Sequence, residues 1–429
     1  MKKVLSGRVF MSVFVLLIVF TLAMPTAFMA QRTLRIVTVN NGDAEKKAYE
    51  AVAADFMKVN PGVKVQIDCQ ASDTFFQAIQ TRGTSMDMDI GYTGPMRRDQ
   101  ALEMFVPWIR AKRLVELTKQ PFIKNYLPAS VASGTTINGK VWGVPLGISG
   151  IVTYYNPDLL KKCGVTKVPT TKTEFTAALK TVKAKGYTGI ALGMKDGWQT
   201  VLTMLQVFNQ ITAGKTEQYM NDLTKGKNAL DGPVFTKLLQ TLAELAPYYT
   251  EGAQGISYEG QVQEFTSGKA AFMLDGTWQV NSILNAKPAF EPGIMVLPIN
   301  EKISDKNIGA IKADPNLFVL NTPQKDIALK FLAFLSKKEN YSKWQQIMKV
   351  IPTQPGISYG SSLMEKQLLE VLKTAGPLYE NYTLPGAKLE LIDASKMVVF
   401  DKKSVSESLK FLKERWEASK PDWKTDLLK

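Results

Sequence analysis

Apolar and β-branched residues crowd 34–40 (LRIVTVN), a β-rich run that predicts a strand. A turn at Asn41-Gly42-Asp43 follows, and the pattern over 44–59 then shifts to the spacing of an amphipathic helix. Alternation over 63–68 predicts a second strand and 88–92 reads as a third, with a helical stretch at 75–81 between them. Strand, helix, strand, helix, strand is the order of a parallel sheet covered by helices. Ligands bind such sheets beyond the carboxyl ends of the strands. Here those ends are the loops 40–43 and 92–98.

A second α/β unit starts near residue 147. It is predicted to hold a strand at 151–155, a helix at 172–185 with Thr170 and Thr171 as capping candidates, and a strand at 189–193. Further helical patterns cover 198–211, 233–245, 259–267, 324–335, 341–349, 361–373 and 404–419. Short apolar runs at 270–274, 294–297 and 317–320 suit buried strands. There is no internal repeat and no linker-like tract, so two lobes joined by more than one crossing are expected.

Length agrees, because 429 residues exceed what one hydrophobic core usually organises. With 45% hydrophobic and 21% charged residues, the chain has the balance of an ordinary globular protein. Its first thirty residues differ. Lys2, Lys3 and Arg8 precede an apolar run over 9–23, followed by Pro25, Ala27 and Ala30. This order reads as a secretory signal peptide over 1–30, cleaved between Ala27 and Ala30. The run is shorter than the roughly 20 residues a spanning helix needs. No cysteine near the cleavage region offers a lipid anchor, so a periplasmic location is expected.

The chain contains no histidine, which removes histidine-dependent triads, histidine-bearing zinc sites and imidazole proton shuttles. Its two cysteines, Cys69 and Cys163, are expected to be free thiols. Formal charge is +14, and removing Lys2, Lys3 and Arg8 leaves +11. The basic residues are scattered in pairs without a nucleic-acid motif, so no nucleic-acid partner is expected.

Four ordered stretches resemble a known family. The first runs from Asn138-Gly139-Lys140-Val141-Trp142-Gly143-Val144-Pro145 through Tyr154-Tyr155-Asn156-Pro157-Asp158-Leu159 to Gly164 and Pro169. The second is Phe265-Thr266-Ser267-Gly268-Lys269-Ala270-Ala271-Phe272 with Gly276-Thr277-Trp278. The third spans 328–335 together with Ile351-Pro352-Thr353, and the fourth joins Asn41-Gly42-Asp43 to Asp89-Ile90. Together they resemble the sugar-binding family 1 of extracellular solute-binding proteins, the maltose-binding-protein-like receptors of ABC importers.

That resemblance implies an α/β, two-lobed periplasmic-binding-protein fold of type II, with discontinuous lobes around a hinge. Residues 31–147 and 299–353 would form the N-lobe, and 148–298 and 354–429 the C-lobe. Crossings would fall near 145–150, 294–300 and 352–358. It also implies a monomeric receptor that captures a carbohydrate, delivers it to membrane permease subunits, and uses no cofactor, metal or catalytic residue. Implied ligand contacts are Asn41, Asp43, Tyr92, Thr93 and Arg97 in the N-lobe, with Ser149, Tyr155, Trp198 and Trp278 facing them. Ser149 stands where the family pattern has a ligand-contacting glutamate, and no tryptophan platform lies over 382–400.

Residue chemistry is compatible with that assignment. Sugars present an apolar C–H face and a hydroxyl rim, which call for flat aromatic rings beside polar partners. Arg97 or Arg98 in the cleft would suit an acidic saccharide through forked hydrogen bonds. Asp87 and Asp89 share one strand face without an oxygen-rich loop, which points to a structural use. The alternative classes are a secreted two-carboxylate glycoside hydrolase and a surface adhesin.

Overall fold

The computed structural model describes residues 31–40, 44–71, 74–96, 99–301, 309–373, 375–378 and 387–419. The first β-rich run becomes β1 (Arg32–Asn40), parallel to β2 (Val63–Ala71) on one side and β3 (Ile90–Thr93) on the other. Leu34 and Ile36 of β1 enter one hydrophobic core and Val37 enters another, as expected of a strand covered on both faces. The helix Ala44–Val59 buries Ala44, Ala48, Tyr49, Val52, Ala53 and Phe56 along one stripe. Tyr49 there meets Trp344 of the helix Lys338–Met348, with ring centroids 5.8 Å apart.

This first sheet is completed from further along the chain. β12 (Asn316–Val319) runs antiparallel between β3 and β6 (Gly143–Pro145), giving the order β2-β1-β3-β12-β6. Ahead of β6, the strands β4 (Thr136–Ile137) and β5 (Lys140–Val141) form a hairpin. Its turn, Asn138-Gly139, holds both residues at positive φ, the backbone for which Asn-Gly is favoured.

β7 (Gly147–Tyr155) is the spine of the second sheet. It is antiparallel to β9 (Ala270–Gly276), β10 (Gly293–Met295), β11 (Ala310–Ala313) and β13 (Ile351–Pro352). β8 (Thr188–Ala191) lies parallel beyond β9, and β14 (Gly376–Pro377) parallel beyond β11. The helix Thr200–Ile211 is buried nearly all round. Its Gln206 accepts from the Leu297 N–H and its Gln210 donates to the Leu297 carbonyl at 2.7 Å, so otherwise unpaired loop backbone is satisfied by side chains. The helices Ala387–Val399 and Val405–Ser419 complete this lobe's core through residues such as Leu391, Leu412 and Trp416.

Among the described residues, the chain passes between the sheets three times. Leu146 links β6 to β7, Asp314-Pro315 links β11 to β12, and 349–353 leads from the helix Lys338–Met348 through β13. The second passage falls later than the sequence reading places it, at 294–300. β10 and β11 both pair with β7, so the second sheet keeps the chain as far as Ala313. The helix Asp99–Arg110 also escapes the pattern, since Pro107 inside it reads as a stop.

Candidate functional site

The second crossing carries Asp314, and three side chains converge on its carboxylate. Tyr92 of β3 donates its hydroxyl to Oδ1 at 2.8 Å. Ser149 of β7 donates to Oδ2 at 3.2 Å, and the Lys312 ammonium of β11 lies 3.0 Å from the same oxygen. Strand register produces this meeting. Lys312 sits opposite Ser149 across the β11–β7 ladder, while Tyr92 sits opposite Leu317, three residues beyond Asp314. The ion pair is buried, with side chains 7% and 10% exposed. Burial pushes the Tyr92 hydroxyl well above its usual range, and the negative charges of Asp314 and Glu45 add to the effect.

Lys312 extends the cluster to the aromatics of the second lobe. Its ammonium stands over the Trp278 ring, 5.4 Å from the centroid. The indole lies flat against Gly276, where a Cβ would come within 2.2 Å of three ring carbons. No other residue leaves room for that placement. The Trp278 indole N–H donates to the Tyr258 hydroxyl, and Tyr258 donates in turn to Asp275 Oδ1 at 2.6 Å. Asp275 is fully buried and also accepts from the Gly276 N–H at 2.6 Å and Gln261 at 2.8 Å. Burial raises its carboxyl to about 7, against the lowering effect of those three donors. Trp198 closes the group, its ring edge on to Tyr258 at 4.9 Å. Asp196, two residues before Trp198, accepts from the Tyr258 N–H and fixes the two segments together.

A continuous set of contacts thus runs from Tyr92 in the first lobe, through Asp314, Ser149 and Lys312, to Trp278, Tyr258 and Trp198 in the second. Four expected site residues, Tyr92, Ser149, Trp198 and Trp278, are brought together. Thr93 is buried beside them, paired with Asn316 across β3 and β12, and its carbonyl accepts from the Asn316 amide at 3.4 Å. Asn41, Asp43, Arg97 and Arg98 lie outside the described residues.

Tyr155 is a correction. It ends β7 six residues beyond Ser149, about 20 Å along an extended strand. It is 5% exposed within the second lobe's core, its ring lies over Gly293, and its hydroxyl accepts from Gln367 at 2.9 Å. Sequence reasoning missed Lys312, Asp314, Tyr258 and Asp275. The Asp314-Pro315 pair is a turn signal, but it does not say which sheet takes the residues on either side. Nothing local marks Tyr258 or Asp275, whose meaning comes from partners elsewhere in the chain.

The remaining candidates have structural partners. Arg35 pairs with Asp87 and Asp89, and fully buried Asp89 also accepts from Thr322 at 2.6 Å. Cys69 and Cys163 are both free thiols, and burial lifts Cys69 to about 11. Among the described residues, no three Cys, Asp or Glu side chains are grouped to hold a metal ion. None of the described helices is long and apolar enough to cross a membrane.

Comparison with known proteins bears on this arrangement. The profile of the bacterial extracellular solute-binding protein family matches residues 41–342. The multiple sugar-binding protein of Streptococcus mutans is 26% identical over 279 residues, covering 62% of this chain and 63% of its own length. Among solved structures, the receptor RafE in complex with raffinose superposes with a TM-score of 0.77 at 20% identity. That match covers 90% of this chain and all of RafE. A chitin oligosaccharide binding protein follows at 0.74 and 20% identity, over 90% of this chain and 99% of its own.

Proposed function

The chain belongs to the bacterial extracellular solute-binding protein family, and from that membership we propose that it is the substrate-binding component of an ABC importer. In this reading it captures a carbohydrate, an oligosaccharide, between its lobes and hands it to permease subunits in the membrane. The observation that carries the reading is the contact set from Tyr92 to Trp198, which places an aromatic surface beside hydroxyl, carboxylate and ammonium groups where both lobes meet. That is the chemistry a sugar's apolar face and hydroxyl rim require. The sugar-binding names of the relatives support the same ligand class.

The receptor works as a monomer, without catalysis or cofactor. It is exported by residues 1–30 and retained in the periplasm. Its lobes divide at 146, 314–315 and 349–353, where the chain changes sheet. A ligand that touches both lobes binds the closed state better than the open one and shifts the population toward closure.

Thermal melting and titration calorimetry with raffinose, maltotriose, xylotriose and chitotriose test the reading. A raised Tm with at least one sugar, recovered intact by chromatography, is the expected result. Trp278→Ala should keep the fold and weaken that sugar by about 2 kcal/mol, as loss of a central aromatic anchor does. Cleavage of the sugar would favour a hydrolase, and no shift with any of them would remove the receptor reading.

A further inference from the structure

Lys312 stands over the indole on which a sugar ring would stack, that of Trp278. Its ammonium stands over Trp278 at 5.4 Å while its charge is matched by Asp314 at 3.0 Å. Asp314 also anchors Tyr92 and Ser149, so the pair is held from both lobes. We propose, resting on the receptor reading, that Lys312 and Asp314 are the specificity-determining pair of the cleft and that they select an uncharged saccharide through two neighbouring hydroxyls.

A sugar ring that stacks on Trp278 takes the ammonium's position. Lys312 and Asp314 are then left facing the ring's rim. The ammonium offers only donors and the carboxylate only acceptors. Neighbouring hydroxyls on a pyranose suit that pair, one accepting from Lys312 and the other donating to Asp314. A sugar carboxylate does not. To reach Lys312 it must share the ammonium with Asp314, which brings two carboxylates to within about 5 Å, and like charges so placed disfavour each other. The pairing also explains how a basic protein keeps a site for neutral ligands: the cation at the platform is already neutralised.

The test is titration calorimetry on the mature protein at low and high salt. Probes are raffinose, maltotriose, xylotriose and chitotriose against di- and trigalacturonic acid. A neutral sugar should be the best ligand, with an affinity indifferent to salt, because no net charge pairing forms on binding. Lys312→Met and Asp314→Asn should each weaken it by about tenfold or more. Each single change removes one charge of a buried ion pair, so the double variant Lys312→Met/Asp314→Asn, which removes both, is measured beside them. It should melt closer to wild type than either single variant while still failing to bind. Tighter binding of a galacturonide, or neutral-sugar affinity unchanged in the double variant, would overturn the assignment. If the double variant binds normally but Trp278→Ala does not, the receptor reading stands and only the pair's role is lost. If no saccharide of either kind binds wild type, the receptor reading itself fails and the inference with it.

Discussion

Asp275 shows how a buried acid can serve a surface ring. Its carboxylate takes donors from Tyr258, Gln261 and the Gly276 backbone, and Tyr258 is thereby oriented to accept the Trp278 indole N–H. Among the described residues its charge acts on Tyr258 and Tyr154, both held well above their usual range, chiefly by burial. Folded Asp275 keeps its proton up to about 7, whereas an unfolded aspartate releases it near 3.8. The folded state therefore binds more protons between those values, and this group's contribution to stability falls as pH rises through that window. Asp275→Asn cannot titrate, so the gap in Tm between wild type and variant should narrow from about pH 5 to about pH 8. A gap independent of pH would show that Asp275 does not titrate there. At this scale the sequence was half legible. Gly276-Thr277-Trp278 resembles the family's platform motif, but Asp275 and Tyr258 acquire their contacts only when residues 17 apart meet, and Lys312 only when β11 pairs with β7.

Elements follow the pattern where local chemistry and tertiary packing agree. Thr170-Thr171 reads as a helix start, and Thr171 is the N-cap of the helix Lys172–Ala184, with Glu174 reaching back to complete a capping box. Phe175, Ala178, Leu179 and Val182 then form its buried stripe. Thr171→Ala removes the acceptor for the Glu174 N–H and should cost about 1 kcal/mol by denaturant unfolding. Thr171→Ser should cost much less, and equal losses for both would mean that the methyl group, not the cap, matters. β11 shows the opposite case. Four residues, Ala-Ile-Lys-Ala, carry too little periodicity to announce a strand, and its lysine argues against a buried one. Pairing with β7 on one side and β14 on the other decides it. The helix Asp99–Arg110 is a third case, where packing of Phe105 and Trp108 outweighs the proline between them.

Two lobes were legible from the repeated strand–helix order, but the passage at 314–315 was not, because an apolar run does not say which sheet will take it. The three passages are fastened to one another at Gly147. The Asp314 N–H donates to the Gly147 carbonyl at 2.8 Å, and the Leu146 N–H donates to the Pro315 carbonyl at 2.8 Å. Thr353 donates to the Pro145 carbonyl at 2.6 Å, and Tyr341 to that of Leu146 at 2.7 Å. A Cβ on Gly147 would lie 2.9 Å from Val350 Cγ2 and 3.0 Å from both the Asp314 carbonyl and Pro315 Cδ, one neighbour from each of the other two passages among them. Three bonded passages make a hinge rather than a loose tether, so motion between lobes must be carried by small changes at these residues. Gly147→Ala forces the passages apart by a few tenths of an ångström in a place where backbone oxygen cannot give way cheaply. Wild-type protein saturated with its best neutral sugar should scatter as a more compact particle than the free protein. Gly147→Ala should melt lower and bind more weakly, and its free and saturated scattering profiles should differ less than those of wild type. Full wild-type compaction and affinity in the variant would mean that the closing motion does not pass through this junction, and superimposable wild-type profiles would mean that there is no closing motion to transmit.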